Sequence, residues 1–208
     1  MSEASRQSHW EGVYTTKGED EVSWFQETPA LSLELIDFVG ATKTSAIIDI
    51  GAGASRLADC LVSAGYDDLT VLDISAAALA AARTRMGEKA HRVTWIRADV
   101  TAWEPPRSYD LWHDRAAFHF LTVPNDQSAY VARLRRALRP GGHAIIATFA
   151  PDGPERCSGL AVSRYDATAL AATLGSGFEL IHTRRHEHFT PSRAMQKFQF
   201  STFRRQRD

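Results

Sequence analysis

The stretch IIDIGAGASRL, residues 47–57, governs how the rest of the chain is read. Three isoleucines and an aspartate run into two glycines one residue apart, and a segment of helical composition follows. A strand ending in such a turn brings backbone N–H groups close to a ligand at the start of the next helix. The dinucleotide fingerprint G-x-G-x-x-G/A needs a small third residue so that helix and strand can pack. Here Gly51 and Gly53 are followed at that position by Arg56, and no G-x-x-x-x-G-K-[ST] phosphate loop occurs in the chain. The turn therefore argues against a pyrophosphate gripped in the usual way.

Outward from this turn, strands and helices alternate. Apolar residues at helical spacing predict a helix over 31–39, with Pro29 in its first turn. A buried strand follows over 45–50, then a helix over 55–65 that Gly65 closes. Strand 69–74 leads into the alanine-rich helix 75–86, with Ser75 as N-cap. Strands 92–99 and 109–115 come next. Helix 127–142 carries Val131, Leu134 and Leu138 on one face, and Pro140 with its glycines stops it before strand 143–150. Helix 166–175 precedes two extended runs, 178–190 and 195–205. Four residues between those runs are too few for a parallel crossover, so they pair as an antiparallel hairpin. The expected fold is α/β: a Rossmann-like, doubly wound, seven-stranded sheet. It is mostly parallel with an antiparallel C-terminal edge hairpin, and helices cover both faces.

At 208 residues, 44% hydrophobic and 24% charged, the chain reads as one domain, with an N-terminal lid and helix over 1–40 and a core over 44–205. A net charge of −1 gives no general attraction to nucleic acid or an anionic membrane, and the RRQR run at 204–207 reads as a solvated terminus. Cys60, expected to be buried, and Cys157 make neither a disulfide framework nor a zinc cluster. The N-terminal residues lack the apolar segment of a secretory signal, and no apolar run is long enough to span a bilayer. A cytoplasmic protein is expected.

Four successive strands end on or near an acid: Asp49, Asp73, Asp99 and Asp114. Asp73 follows the turn by about 20 residues, the separation that suits a carboxylate accepting from ribose hydroxyls. Asp99 stands where a carboxylate accepts from an adenine amino group. Each acid alone reads equally well as a helix cap; four in register favour a ligand.

These motifs together resemble the class I S-adenosylmethionine-dependent methyltransferases over about residues 10–205. DIGAGAS (49–55) is similar to that family's acidic glycine motif, VLDIS (71–75) to its ribose-binding acid and RADV (97–100) to its adenine-side acid. YDLWHDR (109–115) and LRPGG (138–142) are similar to its fourth-strand motif and the turn before its fifth strand. The resemblance implies S-adenosyl-L-methionine as cofactor, leaving as S-adenosyl-L-homocysteine. It would place Gly51, Ala52 and Gly53 at the methionine part, Asp49 at its ammonium, Asp73 and Ile74 at the ribose, Asp99 and Val100 at the adenine, and Asp114 nearby. An adenosine without a pyrophosphate also tolerates Arg56.

The aromatic stretch HWEGVYTTKGEDEVSWFQ (9–26) is read as a cover, with Tyr14, Trp24 and Phe25 facing the cofactor and Trp10 packing structurally. It resembles the start of a bacterial group of small methyltransferases and, more loosely, some protein-lysine methyltransferases. Methyl transfer needs alignment, desolvation and sometimes a base. His119 is the preferred base because imidazole titrates near neutrality; His113 and Asp114 complete the catalytic set. Arg115, with Arg156, Cys157 and Arg164 of the loop 150–165, is expected to line the acceptor pocket. His186 and His188 lack a third ligand, so no metal is expected. An amine-type N-P-P-[YF] motif is absent, which argues against a nucleobase or amide nitrogen as acceptor. The expected acceptor is a small molecule, with a thiol or other soft nucleophile suggested by loose family similarity. A protein-lysine acceptor, reached through an acidic channel at Glu19, Asp20 and Glu21, is the first alternative; a non-catalytic cofactor-binding module is the second.

Overall fold

The computed structural model describes residues 3–207. Strands β1 (Ile47–Ile50), β2 (Leu69–Asp73), β3 (Val93–Arg97), β4 (Tyr109–Arg115) and β5 (Leu138–Phe149) run parallel, and β8 (Phe178–Phe189) and β9 (Met195–Arg205) form an antiparallel hairpin at one edge. Their order is β3-β2-β1-β4-β5-β9-β8. The central strands are continuous apolar runs because both sheet faces are covered. Side chains alternate between the faces: Ile47, Leu111 and Ile145 pack with helices α2 (Ala30–Phe38), α3 (Leu57–Ser63) and α4 (Ala76–Met86). Ile48, Trp112 and Ile146 pack with α5 (Pro124–Ala137) and α6 (Ala167–Leu174) on the other side.

Most expected elements lie where the periodicity puts them, with ends shifted by a few residues. The largest shift is at 138–142. Helix α5 stops at Ala137 rather than running on, because Pro140 disfavours helical backbone at the residue before it. Leu138 instead pairs with Tyr109 at the start of β5, and a register irregularity between Tyr109 and Leu111 absorbs the Arg-Pro-Gly-Gly segment. Cys60 is half-buried rather than sequestered.

Helix α1 (Glu3–Thr16) and a two-residue hairpin, β6 (Arg156–Cys157) with β7 (Leu160–Ala161), are unannounced by apolar periodicity. No residue of α1 is wholly buried, although the Tyr14 hydroxyl is tucked against Gly53. Polar contacts fasten it to the sheet rim: Arg6 reaches Asp99 at 2.9 Å and Asp126 at 2.8 Å. One turn later, Glu11 accepts from Ser75 Oγ at 2.9 Å and from the Ala77 N–H at 3.2 Å, at the start of α4. Among the described residues, no helix is long and apolar enough to cross a membrane.

Candidate active site

A cavity with about 940 Å³ of empty space, its mouth included, opens beyond the carboxyl ends of β1, β2, β3 and β4. Parallel strands that diverge to opposite faces leave their crevice at this position. Its wall brings together Asp49, Asp73 and Asp99 with Gly51, Ala52, Ile74 and Val100. Tyr14 and Trp24 close it from the N-terminal side, and so does Trp10, whose ring meets Phe120 at 4.8 Å and Trp24 at 5.8 Å.

The glycine turn is shaped by close approach. Gly51 and Gly53 hold φ of +57° and +56°. A Cβ on Gly51 would stand 2.5 Å from Ala117 Cβ, and one on Gly53 would stand 1.9 Å from the Tyr14 hydroxyl. Gly53 thus lies behind the wall, under Tyr14. Gly53→Ala is expected to expel Tyr14 and to strain a left-handed backbone, costing about 1–2 kcal/mol. A lower melting temperature and a shifted Trp10/Trp24 fluorescence would register it; an unchanged melt would show that the turn can relax.

Asp73 is fully enclosed. Its two oxygens accept from the Gly53 N–H at 2.7 Å and the Ser75 N–H at 2.8 Å, so it braces the turn and the start of α4 together. Burial pushes its carboxyl up to about 6, against those hydrogen bonds. Asp49 and His113 are 2.7 Å apart, and the other imidazole nitrogen meets Ser32 Oγ at 2.9 Å. Asp99 accepts from the Thr101 N–H and hydroxyl and from Arg6.

Strand alternation decides which β4 residues reach the cavity. His113 and Arg115 face it, whereas Asp114 points to the opposite face. There Asp114 accepts from Tyr130 Oη at 2.7 Å and from the Ala117 and Phe118 N–H groups, holding the short turn Phe118–Phe120. Its expected place at the cofactor or in catalysis is therefore replaced by a structural one. His119 also lies outside the cavity wall. Its Nδ1 accepts from the Phe149 N–H at 3.2 Å, its ring packs on Phe120 and Phe149, and burial lowers it to about 3. An imidazole so placed holds an accepted proton too weakly to serve as a general base near neutrality.

Three further expected residues stand elsewhere. Phe25 sits beneath the Arg56 guanidinium, 5.3 Å from it, rather than in the cavity. Arg156 turns back to the Gly159 carbonyl within the small hairpin, and Arg164 bonds Gly153 O and Glu155. Cys157 from the same hairpin does reach the wall; burial pushes its thiol up to about 11. Of the acids at 19–21, Glu19 pairs with Arg56 and Arg85, Glu21 accepts from the Gly18 N–H, and Asp20 is exposed. Arg6, Ser32 and Phe120 were missed in the sequence, because the first belongs to a helix without apolar periodicity and the others look like ordinary core positions.

A glycine cradle that any Cβ would fill, acids at three adjacent strand ends and an aromatic cover fit an adenosine-bearing ligand with an amino-acid tail. Comparison with known proteins agrees. A family profile described as "Methyltransferase domain" matches residues 47–142. Trans-aconitate 2-methyltransferase of Rhizobium leguminosarum bv. trifolii is 29% identical over 184 residues, 88% of this chain and 65% of that protein. Malonyl-[acyl-carrier protein] O-methyltransferase of a Paenibacillus strain is 29% identical over 111 residues, 51% of this chain and 39% of its own length. The chain thus spans less than two thirds of either curated relative. Burkholderia thailandensis 1,6-didemethyltoxoflavin-N1-methyltransferase, solved with S-adenosylhomocysteine, superposes with a TM-score of 0.75 at 21% identity, over all of this chain and 92% of its own. The matched segment runs from the first strand through the fifth-strand turn, so the chain carries a methyltransferase domain, and its strand order and superposition give it the fold of the class I S-adenosylmethionine-dependent methyltransferases.

Proposed function

We propose that the protein transfers the methyl group of S-adenosylmethionine to a small-molecule acceptor within this cavity. The observation that carries the reading is the single wall shared by Asp49, Asp73, Asp99 and the glycine turn, roofed by Trp10, Tyr14 and Trp24. The cofactor, when bound, supplies an electrophilic methyl group on a sulfonium. Asp73 accepts from the ribose hydroxyls with lone pairs its two backbone donors leave over. Asp49, oriented by His113, receives the ammonium; the Val100 N–H and Asp99 receive adenine. The aromatic roof excludes water, which strengthens every charge interaction beneath it.

Two of the relatives act, by name, on small molecules: trans-aconitate and 1,6-didemethyltoxoflavin. The roofed cavity suits such an acceptor better than a lysine side chain, since Glu19, the least exposed acid of the stretch 19–21, is taken up by Arg56 and Arg85. A thiol acceptor has weaker support. It needs a proton removed, while His113 is engaged at both nitrogens and His119 stands outside.

Calorimetry with S-adenosylmethionine and S-adenosylhomocysteine, with NAD as control, tests the cofactor. Both adenosyl ligands are expected to bind and NAD not. Methyl-labelled cofactor is then offered to fractionated lysate. Label in the small-molecule pool is the expected result; label in protein would favour the lysine alternative, and none at all a non-catalytic binding module.

A further inference from the structure

Two guanidinium groups stand in the cavity wall, and they are in opposite situations. Arg6 is ion-paired with both Asp99 and Asp126. Arg115 gives one N–H to the Trp24 carbonyl at 2.6 Å, and among the described residues no carboxylate lies within ion-pair reach of it. Burial lowers its pKa, although Asp49 beyond that reach opposes the shift. The nearby histidines of β8, His186 and His188, are held below the ordinary imidazole range by burial, with Arg115 adding to it at both and the Ser23 carbonyl opposing it at His188. A guanidinium carries five N–H donors in a planar fork, so Arg115 has donors left to give. Ala116, next in sequence, holds φ of +73°, a left-handed conformation costly for a residue with a Cβ. The chain accepts that strain directly after aiming Arg115 into the cavity.

We propose that Arg115 receives a carboxylate of the methyl acceptor, so that the substrates of this site are small organic acids methylated on that carboxylate's oxygen. This rests on the methyl-transfer reading above. A monoanion answers the one guanidinium of the wall that has no carboxylate within ion-pair reach; a phosphate dianion would leave a charge uncompensated in an aromatic enclosure.

The chemistry also matches what the cavity lacks. His119 is outside it, His113 is committed at both nitrogens, and burial holds the Tyr14 hydroxyl and Cys157 thiol protonated. A carboxylate is already ionised at neutral pH and needs no base. Its oxygen forms the new O–CH3 bond as the S–CH3 bond breaks with its electron pair left on sulfur; no proton moves. One positive and one negative charge become two neutral groups. The ester no longer answers Arg115, so the product is held less tightly than the substrate.

The test is calorimetry on protein saturated with S-adenosylhomocysteine. The ligands are the monoanions acetate, butyrate and benzoate, with their methyl esters and matched thiols. At least one acid is expected to bind at least about tenfold more tightly than its ester, with Arg115→Gln abolishing that preference and Arg115→Lys retaining part of it. Both variants should keep the wild-type circular dichroism spectrum and bind S-adenosylhomocysteine within about threefold of wild type. Esters or thiols binding as well as acids, or no acid binding, would overturn the proposal. So would Arg115→Gln weakening S-adenosylhomocysteine while sparing methylthioadenosine, since Arg115 would then serve the donor's own carboxylate. Failure of the wild-type protein to bind S-adenosylhomocysteine would strike the methyl-transfer reading instead, before any acid is added.

Discussion

Asp73→Ala is expected to weaken S-adenosylhomocysteine binding by about 2–4 kcal/mol, roughly 30- to 700-fold, at pH 7.5. The loss has two sources. One is the pair of charge-assisted hydrogen bonds to ribose hydroxyls. The other is the brace that holds the Gly53 and Ser75 N–H groups together, which keeps the turn and the start of α4 in register. Asp73→Asn keeps an acceptor without the charge and should lose less.

Because burial holds this carboxyl at about 6, the protein without cofactor takes up its proton near that pH. Ligand binding needs the ionised form, so affinity should fall by up to about tenfold per pH unit below 6. The folding linkage has the opposite sense. A group whose folded pKa is raised contributes stability that is present below its unfolded value, near 4, and lost as pH rises through about 6. Calorimetry from pH 5 to 8 measures the first and thermal melts the second. Binding that stays flat across that range in the wild type, with Asp73→Asn indistinguishable from it, would remove Asp73 from the ribose.

The second large effect is on stability. Tyr130→Phe should cost about 2–4 kcal/mol, or about 4–16 °C in melting temperature for a chain of this size. The hydroxyl of Tyr130 is the middle of a buried chain: Trp112 Nε1–H donates to it at 2.8 Å, and it donates to Asp114 at 2.7 Å. Removing it strands an indole N–H and takes one donor from a fully buried carboxylate. Burial already lifts Asp114 to about 6, and losing the Tyr130 hydrogen bond lifts it further. The stability this group contributes in its protonated form is lost as pH rises through its folded pKa. The variant's deficit should therefore be larger at pH 8 than at pH 5. An equal deficit at both would mean that the hydroxyl does not govern Asp114.

The sheet was legible because its strands are buried on both faces and read as unbroken apolar runs between glycines and caps. The strand-end acids were legible for a related reason: a charged residue closing such a run has the strand's end as its only solvated position. Within β4, however, being next to the cavity in sequence is not the same as facing it. Residues 113 and 115 point one way and 114 the other, a distinction the two-residue period of a strand already contains. His119 offered a second available clue, its two phenylalanine neighbours, and the structure buries it among aromatic rings. Helix α1 gave no comparable signal. Its partners Asp99, Asp126 and Ser75 lie some sixty to one hundred and twenty residues away, and only the folded sheet brings them near.

The manner in which α1 is attached has a consequence for the doorway it forms. Apolar clamps tighten in concentrated electrolyte, whereas bonds between opposite charges near a protein surface weaken as the Debye length shrinks. This helix is held by both kinds at once, the Arg6 pairs largely withdrawn from water and the Trp10 ring against Phe120, so added salt pulls on the doorway in two opposed directions and is expected to move it little.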